Sequence, residues 1–107
     1  MDALLVITNA PDRELAFRIA RELVENNLAA CVNVLDGCDS VYRWDGKIEQ
    51  TREVPLLIKT HAARYDEVEA AIRRLHPYEL PEIIAVGIER GLPEYLSWVQ
   101  AETLARG

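Results

Sequence analysis

At 107 residues, half of them apolar and 28% charged, the chain suits a single domain spanning 1–107, with one core and no room for a second. Eighteen acidic against twelve basic side chains leave a formal net charge of −6, which argues against a nucleic-acid partner, because phosphate binding needs a basic face. No apolar run approaches the roughly 20 residues of a membrane span, and Met1-Asp2 leads directly into strand-like sequence; a cytoplasmic protein with no membrane partner is expected.

Ala3-Leu4-Leu5-Val6-Ile7 is a continuous apolar run, the pattern of a central strand covered on both faces. Thr8-Asn9-Ala10-Pro11-Asp12 breaks it with the residues that open helices. Between Asp12 and Asn26, Leu15, Ile19 and Leu23 recur every four residues while Arg13, Arg18, Arg21 and Glu25 take the outer side, which predicts an amphipathic helix. Leu28 to Leu35 reads as a second strand and Leu56 to Thr60 as the return strand of a long hairpin. Tyr65, Val68, Ile72 and Leu75, spaced by three and four, predict a second helix ended by Pro77. Glu82 to Glu89 is a further strand stopped by Gly91, and Pro93 sits where a last helix, Glu94 to Ala105, would begin.

The hairpin carries the most specific local signal. Asp45-Gly46 between two strand-like runs predicts a two-residue turn of type I′, whose central residues need positive φ. That turn fixes the register: Trp44 faces Lys47, Tyr42 faces Glu49, Val41 faces Gln50 and Asp39 faces Arg52, the last an opposite-charge pair. Extended without interruption, it sets Pro55 opposite Asp36, beside Gly37, and Lys59 opposite Val32. Pro55 cannot donate to a ladder and Asp36-Gly37 favours a bulge, so residues 38–53 should form an arm bent out of the main sheet. At about 3.3 Å per residue the arm is roughly 25 Å long, against a radius of gyration of about 13 Å for a domain of this size. An isolated ribbon bearing Val41, Tyr42, Trp44 and Ile48 is marginal in water. Either it folds back over its own sheet or, the favoured reading, it packs on a second copy of the chain.

The order βαββαβ with a terminal helix predicts an α+β, ferredoxin-like sandwich: helices on one face of a four-stranded sheet, the other face bare. Cys31 and Cys38, seven residues apart, would lie roughly 23 Å from each other on one strand, too far for a disulfide.

No GxSxG, HExxH, P-loop or GxGxxG pattern is present, so a non-enzyme is expected. The polar cluster that stands out is His76-Pro77-Tyr78-Glu79-Leu80-Pro81-Glu82. Two prolines stiffen a loop that offers an imidazole, a phenol and carboxylates, enough to hold a metal ion or a small ligand. The alternative is a helix terminator whose His76 caps the preceding carbonyls. His61, fifteen residues away and so about 22 Å along a helix, cannot share an ion with His76 and reads as a surface residue at a helix start. Lys59, a charge inside an apolar strand, asks for an anionic partner, either in a structural pair or in a pocket with Glu53, Trp44 and Tyr78.

Ala10-Pro11-Asp12, Leu28-Ala29-Ala30-Cys31-Val32-Asn33-Val34, Tyr42-Arg43-Trp44-Asp45-Gly46-Lys47, Lys59-Thr60, His76-Pro77-Tyr78-Glu79-Leu80-Pro81-Glu82 and Tyr95-Leu96-Ser97-Trp98 together resemble the CutA divalent-cation tolerance family over essentially the whole chain. The resemblance implies a homotrimer similar in architecture to the PII signalling proteins, with Val41, Tyr42, Trp44 and Ile48 of the arm among its contacts. It implies a ligand cleft between subunits lined by Trp44, Glu53, Lys59, His76, Tyr78 and Glu82. It also implies a role in tolerance to copper and other divalent cations, with weak binding of Cu(II) or another divalent ion, His76 as the candidate ligand and no obligatory cofactor. A signalling or adaptor trimer that binds a small molecule in the same cleft is the alternative.

Overall fold

The computed structural model describes residues 2–104; Met1 and Ala105, the expected end of the last helix, lie outside them. The elements are β1 (Ala3–Ala10), α1 (Arg13–Glu25), β2 (Cys31–Val34), β3 (Cys38–Trp44), β4 (Lys47–His61), α2 (Tyr65–Leu75), β5 (Ile83–Gly87) and α3 (Pro93–Glu102). β1 is central as its apolar run requires, and every pairing in the order β2-β4-β1-β5 is antiparallel. This is the ferredoxin-like arrangement, with β3 hanging off the far part of β4.

Alternation along the central strands builds the core. Val6 and Ala10 of β1 and Leu56 and Ile58 of β4 point to one face, where Ile19 and Leu23 of α1 and Val68 and Ile72 of α2 close over them; all eight are fully buried. Thr8 shares that face and is also fully buried, with its hydroxyl unpartnered. The helix starts follow local chemistry. Asp12 Oδ1 accepts from Leu15 N at 2.8 Å to cap α1. His61 Nδ1 accepts from Ala63 N at 3.2 Å to open the turn of 3-10 helix before α2.

The second sheet face departs from expectation, since it is only partly bare. α3 packs there against β4 and β1, with Val99 buried and Tyr95 beside Cys31, which stands on the side of the sheet away from α1 and α2. The last carbonyls of α3 are met from elsewhere in the chain: Asn27 Nδ2 donates to Glu102 O at 3.1 Å and Arg64 Nε to Thr103 O at 2.9 Å. Beyond the reach of α3, Ile84 and Val86 of β5 stand 49% and 52% exposed.

The arm is as its turn dictated. Asp45 and Gly46 have φ of +52° and +77°, and the ladder pairs Trp44 with Lys47, Tyr42 with Glu49 and Asp39 with Arg52. The uninterrupted count fails at the bend. Cys38 faces Glu53, yet Val34 faces Leu56, so Leu35-Asp36-Gly37 oppose only Val54-Pro55. One extra residue on the β2–β3 side is a bulge, and Leu35 N still reaches Pro55 O at 3.0 Å. Pro55 therefore lies across from Leu35 rather than Asp36, and Lys59 faces Cys31, not Val32. With the arm extended, the molecule measures 44 × 28 × 23 Å and its radius of gyration is 14.4 Å.

Candidate functional site

Because strand side chains alternate, the register decides what the arm presents. Cys38, Ser40, Tyr42 and Trp44 share one face with Lys47, Glu49, Thr51 and Glu53, while Val41, Arg43 and Ile48 lie on the other. The Tyr42 hydroxyl is held to Thr51 Oγ1 at 2.9 Å. Across from this face runs the loop between α2 and β5, and the two enclose a cleft of about 1040 Å³. Trp44, Glu53, Tyr78 and Glu82 all line it, along with Tyr42, Arg43 and Glu79.

His76 anchors that loop rather than facing the cleft. It is 7% exposed, with Nε2 at 2.7 Å from Asn9 O and Nδ1 accepting from Tyr78 N at 3.2 Å. A carbonyl on Nε2 and an N–H on Nδ1 fix the neutral tautomer protonated on Nε2. Both nitrogens are thereby engaged, and no lone pair is left for an ion. The expectation that His76 ligates copper does not fit this ring. Nor do the described residues contain any group of three or more His, Cys, Asp or Glu side chains placed to hold a metal. The donor set of the described chain does not fit a resident ion.

Asn9 is the residue that motif reading missed. Its carbonyl accepts from His76 Nε2 and its Nδ2 donates to Glu82 Oε1 at 3.1 Å, so one β1 residue ties both ends of the 76–82 loop. Its position just after the apolar run Ala3–Ile7 was the available signal. Tyr78 stacks at 4.6 Å and 58° on His76, and its phenol is raised above the ordinary value by partial burial first, then by the charge of Glu53, by Tyr42 and by Asp12.

Lys59 lies away from this cleft within the chain. It is six residues from Glu53, about 20 Å along an extended strand, and its ammonium donates to Asn33 Oδ1. Glu53 is the converse case: 8% exposed, on the cleft wall, its carboxylate without an ion pair among the described residues.

The family model described as CutA1 divalent ion tolerance protein matches residues 4–102. The chain belongs to the CutA1 family. A divalent-cation tolerance protein CutA of Thermus thermophilus is 42% identical over 103 residues, covering 96% of this chain and 99% of that one. The crystal structure of CutA from Xylella fastidiosa superposes with a TM-score of 0.93 at 48% identity, covering 96% and 99% of the two chains. A CutA from Archaeoglobus fulgidus, described as periplasmic, gives 0.93 at 38% identity over 95% and 99%. The CutA1 fold and this ferredoxin-like chain are thus one architecture. No helix among the described residues is long and apolar enough to cross a membrane.

Proposed function

We propose that the chain is a non-catalytic, cytoplasmic homotrimer serving divalent-cation tolerance, and that it does so by recognising a ligand at the cleft between the arm and the 76–82 loop. The observation that carries this reading is the division of labour around that cleft. His76, the residue best suited to a metal, is used inside the chain to brace the loop, while Trp44, Tyr42, Tyr78 and Glu53 line the cleft. Related proteins carry divalent-cation tolerance in their names, which supports the physiological context. The exposed side chains of Val41, Tyr42, Trp44 and Ile48 support assembly through the arm, with sister copies bordering the cleft. Absence from the sequence of any nucleophile–base pattern supports a binding rather than a catalytic role.

Calorimetric titration with Cu(II) separates recognition at the cleft from ligation by His76. Wild type and His76→Ala should give indistinguishable isotherms once the variant is confirmed folded. A binding step present in wild type and abolished in His76→Ala would return the role to the imidazole.

A further inference from the structure

The 76–82 loop is closed by a bond that exists only while His76 is uncharged. The ring is buried, with Nε2 at 2.7 Å from Asn9 O and Nδ1 at 3.2 Å from Tyr78 N. A carbonyl can only accept, so Nε2 keeps its proton for as long as the ring sits on Asn9. Nδ1 is then the one place a second proton can go, and the Tyr78 N–H already points there. Imidazolium donates from both nitrogens, so a proton on Nδ1 sets two donors against each other and that contact must open. The other bond responds in the opposite sense, because an ionised donor makes the stronger hydrogen bond to Asn9 O. Charging the ring therefore frees the Tyr78 end of the loop and tightens the Asn9 end.

What can move is bounded on both sides. Glu82 is held to Asn9 Nδ2 at 3.1 Å, so the segment free to open lies between two attachments to the same β1 residue. Tyr78, which packs its ring on the imidazole at 4.6 Å, is the part of that segment nearest the first attachment and also lines the cleft. Charged and titratable groups approach from each element that meets the loop. Asp12, Glu14 and Arg18 of the α1 start stand around Pro77. Glu53 of β4 and Tyr42 of β3 face the Tyr78 phenol across the cleft. Arg73 and Arg74 end α2, the second turned away to Glu22 at 2.9 Å, and Glu79 and Glu82 belong to the loop itself. Among the described residues none of these is bonded to the ring, so it is the Tyr78 N–H that the second proton displaces.

We infer that His76 is a proton-operated latch: uncharged, it holds Tyr78 on the cleft wall, and charged, it releases residues 77–81 while Asn9 retains the ring and Glu82. Imidazole is the side chain whose change of charge ordinarily falls between about pH 5 and 8, which makes it the chemistry for such a device. Any effect on recognition rests on the cleft being the binding site; the release of Tyr78 does not, and every contact invoked lies within one chain.

The test is an NMR titration of the full chain carrying His61→Asn, which leaves His76 as the sole histidine and keeps a side-chain acceptor for Ala63 N. Ring nitrogen shifts report tautomer and charge from about pH 8 to about pH 5. Tyr78 amide protection against hydrogen exchange and the assembled mass are measured on the same samples. At the upper end the ring should show the tautomer protonated on Nε2. As it charges, Tyr78 protection, corrected for the intrinsic pH dependence of exchange, should fall about tenfold or more with the same midpoint. The Leu28 amide, bonded to Leu23 O far from the loop, should stay within about threefold. Glu82→Gln, which keeps an acceptor for Asn9 but cannot ionise, should leave the step in place, and His76→Gln should remove it. Should His76→Gln fail to fold, the coincidence of ring charging with Tyr78 release in the parent chain decides the matter. A ring that stays uncharged throughout, a Tyr78 amide that keeps its protection while the ring charges, a step lost in Glu82→Gln, or a release that coincides with a fall in mass would overturn the latch.

Discussion

His76 and Thr8 show how differently two buried polar residues can be placed. The imidazole bridges Asn9 O and Tyr78 N, so its role is to hold the loop that carries Tyr78 and Glu82. The Thr8 hydroxyl has no partner in the core, and such a group is held at a cost of about 1–3 kcal/mol. Thr8→Val, which keeps the shape and removes the hydroxyl, should raise stability in urea unfolding by about 1 kcal/mol; a loss would mean the hydroxyl is satisfied in solution. Tyr78 offers a spectroscopic handle. Burial and the neighbouring Glu53 favour its neutral form, so Glu53→Gln should lower its ionisation toward the ordinary range in an ultraviolet difference titration, with Tyr78→Phe identifying the signal. Tyr65 and Tyr95 are raised as well, chiefly by burial, with Glu69 acting on the first and Cys31 on the second. For all three the native state holds its proton longer than the unfolded chain. Their contribution to stability is therefore present below the ordinary tyrosine value and lost as pH climbs through the raised native ones. Melting temperature should fall over that alkaline window, and less steeply in Tyr78→Phe.

At the level of elements, what could be read from the sequence depended on whether the governing interactions were local. The Asp45-Gly46 turn fixed four pairs of the arm because a two-residue loop permits only one register. Pro55 and Asp36-Gly37 marked where the arm bends, but a bulge adds a residue that no breaker pattern counts, so every pairing beyond it moved by one and Lys59 came to face Cys31. The covering of the second sheet face by α3 was equally illegible. Its contacts, Tyr95 to Cys31 and Asn27 and Arg64 to its last carbonyls, join residues far apart in the chain. Trp44, Glu53, Tyr78 and Glu82, expected from the sequence in a cleft between subunits, line one cleft within the chain because the arm register and the Pro-braced loop are each short-range features; the positions of Lys59 and Asn9 required the tertiary pairing. Helix starts belong with the local class. Asp12→Ala should cost about 1 kcal/mol by removing the α1 cap while Asp12→Asn should be nearly neutral, both read by thermal unfolding. Equal losses in the two would show that charge, not the hydrogen bond, matters there.

As a whole molecule the chain leaves apolar surface on the arm and on the open part of the sheet that α1 and α2 do not serve. Val41 and Ile48 on the back of the arm are 67% and 62% exposed, and Ile84 and Val86 stand on the open part of the sheet. β5 is also an edge strand with an unpaired side. Ribbons and edges of this kind persist in soluble proteins when another chain covers them. The same surfaces border the cleft, so assembly and recognition would be coupled: a sister chain that shields the arm also sets how wide the cleft opens. The most direct measurement is the mass of the intact protein by light scattering at micromolar concentration, for wild type and for the double variant Val41→Glu, Ile48→Glu. Assembly through the arm predicts three times the 12.1 kDa chain mass for wild type and a shift to smaller species in the variant; a wild-type protein that scatters as one chain, its arm free of any neighbour, would contradict it.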